Sequence, residues 1–390
     1  MFMKTKKYAF VRVGLGILFF GVVIVMFQKR LTTYFKKAQS PVGRDIETVY
    51  GTYHVTEPVL LELIDSSVMQ RMKKIHQFGV YYFVENGKSK EYTRYTHCLG
   101  VWALLRKYGA SLEEQMAGLL HDASHTVFSH VGDYLFKQKE FNADTSYQDD
   151  IHAWYLQQQK VDVLLAKYGY TLEQVLPKKN SYFGLDQELP NICADRLEYN
   201  LYEGLLDGMF DTKDVKMILD DLKFENGQWF FTSAQIARKF AEVPLYLTAH
   251  HWGSAENFLL YSWAAKALRR AVELKLISFE DIHFSEDEII WKKLTQSDDL
   301  LIKDNVAKMN KRMDLFSLAK KDTCDYLVKV KFRGINPWIK QGDLFKRLTD
   351  LDQDFAQKFE KVKVQLTQGW TVTLLGEAAK DRGTIAQLVA

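Results

Sequence analysis

The uneven distribution of histidine is the feature that most constrains how this chain folds. Five of the ten histidines lie within 56 residues: His97, His121, His125, His130 and His152. His121 and Asp122 are adjacent at the end of an apolar helical stretch, where burying an unpartnered imidazole and carboxylate is costly. A metal ion would satisfy both groups. One such histidine alone is better explained as a satisfied core residue, but the cluster as a whole favours a metal site.

Charge separates the N-terminus from the rest of the chain. The formal net charge is +3, yet residues 1–44 contain nine Lys/Arg and no Asp or Glu. The remaining chain therefore carries 43 basic and 49 acidic residues. A mildly acidic body argues against a broad basic surface, so we expect no stable nucleic-acid binding.

The basic N-terminal segment, 1–44, also contains an apolar run. Sixteen uncharged residues separate Arg12 from Lys29, and residues 8–28 together are long enough to cross a bilayer. We predict an N-terminal hydrophobic helix that anchors the protein to a membrane, with a cleaved signal peptide as the rival interpretation. If translation starts at Met26 instead, a cytoplasmic protein is expected.

The cysteines bear on the compartment of the folded part. Cys98, Cys193 and Cys324 are widely spaced and odd in number, which gives no disulfide framework. Unpaired cysteines suit a reducing compartment. We therefore expect the main domain to face the cytoplasm.

Helical periodicity dominates from about residue 45 onward. Ser111 and Glu114 form a capping-box pattern at the start of one helix, and others are predicted over about 147–160, 189–206 and 252–276. Residues 325–339 and 361–375 alternate like strands, with a helix over 342–360 between them. The predicted fold is mainly α: a helical bundle over 45–276, then a small α+β C-terminal lobe over 277–390.

The predicted helix at 189–206 has two distinct faces. Its apolar stripe has spacings of three and four residues and consists of Ala194, Leu197, Leu201 and Leu205. Asp195, Tyr199 and Glu203 are spaced by four and share another face. Tyr199 is as consistent with a core residue as with a functional one.

The order of these residues resembles the HD-domain phosphohydrolases, whose signature is a His, a distant His-Asp pair and a distant Asp. His97, His121-Asp122 and Asp195 match it. Further motifs resemble the branch that includes the SAM- and HD-domain deoxynucleotide triphosphohydrolase. These are Leu63 to Arg71, Ile75 to Gly79, Arg94 to Val101 and Asp195 to Tyr199.

The resemblance implies one divalent metal ion, Mn, Fe, Ni, Zn or Mg, held by His97, His121, Asp122 and Asp195. It implies that His125, His130 and His152 surround the substrate phosphates. His130 would protonate the leaving oxygen, and Asp133 would hold its imidazole, a role that suits a near-neutral side chain.

Arg94 lies three residues before His97, so one helical face presents a metal ligand beside a guanidinium suited to phosphate oxygens. A surface salt bridge is the alternative for Arg94. His152 stands among Asp149, Asp150 and Trp154, so a structural role is the alternative for it.

Substrate contacts follow from the same resemblance. Gln77, Arg94, Arg196, Tyr199 and Glu203 match positions that contact sugar and phosphates in the triphosphohydrolases. The sequence departs from the family at Glu203, where aspartate is usual. It also departs beside the third histidine, where Ser124 and Thr126-Val127 replace glycine-containing positions.

The leading functional hypothesis is hydrolysis of a dNTP to a deoxynucleoside and triphosphate. The alternatives are another nucleotide phosphomonoesterase or phosphodiesterase, or a membrane-tethered nucleotide sensor without turnover. An intact ligand set together with a general acid favours an enzyme. The expected partners are a nucleotide substrate and the membrane, with a homo-oligomer as a further possibility.

Overall fold

A computed structural model describes residues 43–84, 91–136, 146–318 and 324–381. The described chain begins with an antiparallel hairpin of β1 (Arg44–Thr48) and β2 (Gly51–Val55), in which Ile46 pairs with Tyr53. The predicted anchor helix at 8–28 lies outside the described residues.

Helices that surround the candidate site follow the hairpin. They are α1 (Pro58–Asp65), α2 (Ser67–Met72), α3 (Tyr81–Val84), α4 (Arg94–Lys107), α5 (Leu112–Leu120), α6 (Val131–Phe136), α7 (Tyr147–Gln158), α8 (Val161–Ala166) and α9 (Ala194–Leu206).

Further helices complete the bundle and continue toward the C-terminus. They are α10 (Thr212–Asp221), α11 (Ala234–Leu247), α12 (Ala255–Glu273), α13 (Phe279–Phe284), α14 (Asp287–Thr295), α15 (Leu300–Asn310), α16 (Leu348–Leu351) and α17 (Gln353–Gln368). Short 3₁₀ turns cover Glu173–Val175, Pro177–Lys179, Arg312–Asp314 and Gly376–Asp381, and a π-helical turn covers Thr248–Trp252. The mainly helical fold predicted from the sequence is confirmed.

Two small sheets lie beside the helices. The first has the order β3-β4-β7-β8 and consists of Lys223–Glu225, Gln228–Phe231, Trp338–Gln341 and Leu344–Arg347. Its β4 and β7 pair in parallel, with Phe230 opposite Trp338, and its other pairs are antiparallel. The second is antiparallel, has the order β5-β9-β6, and consists of Phe316–Leu318, Trp370–Leu374 and Tyr326–Val328.

The β4–β7 pairing joins residues on both sides of the domain boundary that we predicted near residue 276. The division into 45–276 and 277–390 stays a prediction.

One predicted strand is wrong over most of its length. Residues 361–368 belong to α17, and only Trp370–Leu374 of the predicted 361–375 segment is a strand. Phe355, Phe359 and Leu366 recur at helical spacing and are buried. Burial of this apolar face outweighs the short Lys-Val alternation that suggested a strand.

The prediction of membrane-anchored localisation is also wrong. Within 43–84, 91–136, 146–318 and 324–381, no helix combines the length and apolarity needed to cross a bilayer. The longest of them, α12, carries Lys266, Arg269 and Arg270 within its 19 residues. Charges at that density are too costly for a membrane span.

Packing around α4 positions the site. Helix α4 contacts both α5 and α9, and it is buried on most of its surface, with Trp102 and Leu104 fully covered. The first turns of α4 and α9 meet the C-terminal end of α5. Polar side chains from three helix termini therefore converge at one end of the bundle.

Only one of the two hydrogen bonds of the predicted capping box forms at the start of α5. The Ser111 hydroxyl accepts a hydrogen bond from the Glu114 N–H at 3.2 Å, as expected of an N-cap. The Glu114 carboxylate does not return to Ser111. Its Oε1 instead accepts hydrogen bonds from the N–H groups of Gly184 and Leu185, at 2.8 and 3.0 Å.

We predict that Glu114→Ala destabilises the protein, because two buried N–H groups lose their acceptor. The expected loss in unfolding free energy is about 1–3 kcal/mol, measured by chemical denaturation. Glu113→Ala is the matched control on the same helix and should change stability little. Equal losses in the two variants would contradict the structural role of Glu114.

Candidate functional site

Four side chains from three helix ends meet at one point. His97 lies in the first turn of α4, His121 and Asp122 directly follow α5, and Asp195 lies in the first turn of α9. The Nε2 atoms of His97 and His121 are 3.1 Å apart. Asp195 Oδ1 lies 3.2 Å from His97 Nε2 and 3.6 Å from His121 Nε2. The structure thus brings together all four residues predicted as metal ligands.

Asp122 completes the cluster from the other side. Its Oδ2 lies 3.6 Å from His97 Nε2, and its Oδ1 lies 3.5 Å from His121 Nε2. Ligand atoms bound at about 2.1 Å to one ion lie roughly 3.0–3.4 Å from one another. The spacing and the mixture of imidazole and carboxylate therefore fit one divalent metal ion, whose identity the donor set leaves open.

Hydrogen bonds behind the two imidazoles fix their orientation. His97 Nδ1 lies 2.5 Å from the Glu198 carboxylate, and His121 Nδ1 lies 2.7 Å from the Gly118 carbonyl oxygen. Each contact assigns the proton to Nδ1 and leaves Nε2 as the electron-pair donor. Both Nε2 atoms face the point at which the carboxylates converge.

Glu198 is a functional residue that sequence reasoning missed. It is fully buried in α9 and also accepts hydrogen bonds from the Tyr92 and Tyr50 hydroxyls, at 2.5 and 3.2 Å. A signal was present: Glu198 lies three residues after Asp195, on the same side of the helix.

The glycine of the Arg94–Val101 motif has a physical reason. A Cβ placed on Gly100 would lie only 2.4 Å from Glu198 Oε1. Glycine at this position therefore lets α9 approach α4 closely enough for Glu198 to reach His97.

The electrostatics of the cluster favour a cation. Burial lowers the pKa of His97, but Glu198, Asp195 and Asp122 outweigh burial and raise it to about 10. Burial likewise opposes ionisation of Asp195, yet the neighbouring His121 and His97 hold its pKa well below the usual range. Protons and metal ions compete for such sites. The cluster therefore carries enough negative charge to bind a proton or a metal ion.

The Arg94 guanidinium is hydrogen-bonded to other residues of the site. It is almost fully buried, and its Nη1 donates to Asp122 Oδ2 at 2.5 Å. Its Nε donates to Ser129 Oγ at 3.1 Å, and its Nη2 to the Gln77 carbonyl oxygen at 3.4 Å. In this arrangement Arg94 orients a proposed metal ligand and joins two loops of the site.

A shallow recess adjoins the cluster. It is lined by His125, Thr126, Ser129, His130, Gly132, Asp133, Tyr147 and Gln148. His125 Nε2 lies 3.3 Å from Asp122 Oδ1, and the His125 and His130 rings are 5.0 Å apart. Burial and the nearby Arg94 lower the pKa of His125 to about 3. A neutral imidazole thus separates His130 from the cluster.

His130 is partly exposed to the recess, and its Nδ1 lies 3.2 Å from Asp133 Oδ2. Asp133 also accepts a hydrogen bond from the Tyr147 N–H at 2.5 Å. Burial opposes ionisation of Asp133, but His130 outweighs it and lowers the pKa of that carboxyl. An ionised Asp133 therefore orients His130 with Nε2 available to a ligand in the recess.

His152 lies behind this recess rather than beside the cluster. It is buried in α7, and its Nδ1 lies 2.8 Å from Ser124 Oγ. Ser124 stands two residues after Asp122. The geometry places His152 in contact with the loop that carries the proposed catalytic histidines.

Tyr199 and Glu203 line the opposite side of the cluster. The Tyr199 hydroxyl is buried and has no hydrogen-bond partner within the described segments. Burial raises the pKa of Glu203 to about 8, although the Trp252 Nε1–H donates to this carboxyl at 2.9 Å. The Tyr199 and Trp252 rings are 5.1 Å apart and nearly perpendicular. These three side chains form a small polar and aromatic wall.

Trp252 is a second residue that sequence reasoning missed. It ends the π-helical turn Thr248–Trp252, a rare conformation that is frequent at functional sites. The sequence gives no sign of this turn.

Two predicted substrate residues, Arg196 and Gln77, differ in their hydrogen bonds. Arg196 Nη1 donates to the Asn191 carbonyl oxygen at 3.1 Å, and its Nη2 lies 3.5 Å from Asp186 Oδ1. The Gln77 Oε1 atom is buried and has no hydrogen-bond partner among the described residues. Gln77 thus retains an acceptor beside Arg94, whereas the Arg196 guanidinium faces the loop that precedes α9.

Comparison with known proteins identifies related chains. Residues 94–154 match the HD domain family. The uncharacterized protein YdhJ of Bacillus subtilis is 30% identical over 333 residues, which span 81% of this chain and 96% of YdhJ. The metal-dependent phosphohydrolase cns2 of Cordyceps militaris is 30% identical over 258 residues, spanning 63% of this chain and 69% of cns2.

Two further likenesses are more limited. The deoxynucleoside triphosphate triphosphohydrolase SAMHD1 of Danio rerio is 35% identical over 102 residues, which span 22% of this chain and 16% of SAMHD1. A phosphohydrolase structure from Bacteroides thetaiotaomicron superposes with a TM-score of 0.60 at 16% identity, covering 85% of this chain and 99% of that chain. The structural likeness concerns the fold alone.

We predict that Glu198→Gln weakens metal binding roughly 10- to 100-fold, as loss of the partner behind a metal-bound histidine commonly does. The amide can present its N–H₂ group to His97 and no longer fixes the imidazole. Titration of the metal-free protein with Mn²⁺ measures the effect. Glu188→Gln, at an exposed position before α9, is the control. Equal affinity in both variants would contradict the orienting role of Glu198.

Proposed function

We propose that this chain, which belongs to the HD-domain family of metal-dependent phosphohydrolases, hydrolyses nucleotides. The most specific form of the proposal is cleavage of a dNTP at the α-phosphorus to give a deoxynucleoside and inorganic triphosphate. The convergence of His97, His121, Asp122 and Asp195 within 3.1–3.6 Å is the observation that carries it.

These four residues would hold the divalent ion. Such an ion supplies Lewis acidity to phosphate oxygens and makes water a better nucleophile near neutral pH. The protein groups around it would then bind and orient the phosphates. Arg94 contributes by fixing Asp122 in place.

His130 is the proposed general acid. Asp133 holds its Nδ1, so Nε2 faces the recess and can deliver a proton to a leaving oxygen. His125 lies between His130 and Asp122, where its ring would border a phosphate bound between the cluster and the recess. The cluster and the histidines of the recess offer more charged and proton-donating groups than one phosphate monoester needs, which favours a polyphosphate chain.

The wall of Tyr199, Glu203 and Trp252 is the proposed sugar-binding side. The Tyr199 hydroxyl, which lacks a partner among the residues that the structure describes, and the Glu203 carboxyl offer hydrogen bonds to a sugar hydroxyl near the cluster. The limited likeness to SAMHD1 is a further support for a deoxynucleotide substrate. Glutamate reaches one methylene further than aspartate, so we expect the 3′-hydroxyl to be recognised here in a shifted position.

Product analysis tests the proposal. We expect the protein loaded with Mn²⁺ to release deoxynucleoside and triphosphate in equal amounts from a dNTP, as measured by ion-exchange and reversed-phase chromatography. Removing the metal with a chelator should abolish turnover, and adding Mn²⁺ back should restore it.

Other outcomes distinguish the specific proposal, attack at the α-phosphorus, from the general one, nucleotide hydrolysis. Orthophosphate or pyrophosphate in place of triphosphate would contradict attack at the α-phosphorus but would leave nucleotide hydrolysis intact. No turnover of any nucleotide with Mn, Mg, Fe, Ni, Zn or Co would contradict nucleotide hydrolysis as a whole.

His130→Ala should lower kcat by roughly 10²–10⁴-fold, as loss of a general acid does, while metal content stays unchanged. His54→Ala is the matched control, because His54 forms an exposed pair with Asp45 at 2.7 Å on the β-hairpin. Wild-type turnover in His130→Ala would show that His130 does not transfer the proton.

A further inference from the structure

The loop from His125 to His130 has an unfavourable backbone conformation. Phe128 and Ser129 adopt φ angles of 58° and 53°, in the left-handed region that glycine tolerates best. This conformation is unfavourable for a residue that has a Cβ, because the Cβ approaches the following carbonyl oxygen. The loop therefore needs support from the structure around it, and that support determines where both histidines lie.

Asp287, at the start of α14, provides a central part of this support. Its Oδ1 accepts a hydrogen bond from the Phe128 N–H at 2.7 Å, and its Oδ2 accepts one from the His76 N–H at 2.8 Å. Each carboxylate oxygen thus holds one backbone segment. The two segments are the strained loop and the turn that carries Gln77.

These two segments also contact each other. Ser129 Oγ donates to the His76 carbonyl oxygen at 2.7 Å, and the Arg94 Nε–H donates to Ser129 Oγ at 3.1 Å. The Val127 N–H donates to the Ile282 carbonyl oxygen at 2.9 Å. Of the two residues with positive φ, Ser129 donates its N–H to the Thr126 carbonyl oxygen within the loop, at 3.0 Å. The Phe128 N–H is instead held by Asp287, which lies far outside the loop.

The burial of Asp287 shows that this arrangement is costly. Its side chain is fully buried. In the described part of the chain, its carboxylate accepts hydrogen bonds only from backbone N–H groups and makes no ion pair. Burial raises its pKa to about 7, although the two N–H groups oppose the rise. A role confined to capping α14 would not require both oxygens to contact segments outside that helix.

We propose that Asp287 is a positioning residue that fixes the loop His125–His130 and thereby places His130 for proton transfer. The catalytic consequence rests on the function proposed above, whereas the effect on loop conformation does not. Asp287 lies outside the family match at 94–154 and 159 residues after Phe128, so the active-site loop depends on a distant part of the chain.

The test uses Asp287→Asn in the full chain. Its amide has one acceptor oxygen, so the N–H of either Phe128 or His76 loses its partner and faces an N–H₂ group. Asp299→Asn is the matched control, because Asp299 also accepts two backbone N–H groups, Leu301 and Ile302, but lies away from the loop.

Hydrogen exchange measured by mass spectrometry reports the loop directly. We expect peptides containing Phe128 or His76 to exchange faster in Asp287→Asn, with no such change in Asp299→Asn. Exchange rates equal to wild type in both peptides would overturn the proposal. If Asp287→Asn fails to fold, Asp287→Glu keeps both acceptors but shifts them by one methylene, and it should show the same change to a smaller extent.

Kinetics test the catalytic consequence. We expect kcat to fall roughly 10- to 100-fold in Asp287→Asn, as misplacement of a catalytic group does, with KM and metal content little changed. In a His130→Ala background the same substitution should add almost nothing, because the group that it positions is already absent.

The outcomes are distinguishable. A full additional loss of kcat in the His130→Ala background would show a general structural effect and would contradict positioning through His130. If wild-type protein turns over no nucleotide, the proposed function fails, while hydrogen exchange still decides whether Asp287 fixes the loop.

Discussion

The close approach of α9 to α4 is the constraint on which the rest of the site depends. It requires glycine at position 100, because a Cβ there would overlap the Glu198 carboxylate. The approach allows Glu198 to fix His97 and places Asp195 within 3.2 Å of the same imidazole. Without it, α4 and α5 would still bring His97 close to His121 and Asp122, but Asp195 would lie too far away.

The site is costly to fold, and its neighbours offset that cost. Several carboxylates and imidazoles are buried together, which hydrophobic packing alone would not tolerate. Arg94 and the two tyrosines that contact Glu198 provide part of the compensation. A bound cation would provide more, so we expect metal binding and folding stability to be coupled.

Sequence reasoning succeeded where the signal was local. The His-Asp pair, the four-residue spacing on α9 and the main helices all depend on residues close together in the chain. The strand predicted over 361–368 failed because the apolar face of α17 is recognisable only when its burial is known. The contact of Arg94 with Asp122, 28 residues away, could not be foreseen from local spacing either, and the phosphate contact predicted for Arg94 stays a prediction.

The residues that sequence reasoning missed are long-range partners. Glu198 acts on a histidine 101 residues away, and Trp252 acts on a carboxyl 49 residues away. Asp287 accepts a hydrogen bond from a loop residue that lies 159 positions earlier in the chain. No periodicity or spacing in one sequence reveals such pairs, because each depends on how distant helices pack.

Electron paramagnetic resonance of the Mn²⁺-loaded protein can establish whether His97 and His121 bind a metal ion, because nitrogen couplings report which side chains are ligands. We expect one tightly bound Mn²⁺ per chain, coupled to two imidazole nitrogens, with one coupling lost in His97→Ala and one in His121→Ala. Bound Mn²⁺ without directly coordinated nitrogen, or couplings that persist in both variants, would contradict a metal centre built from these helix ends.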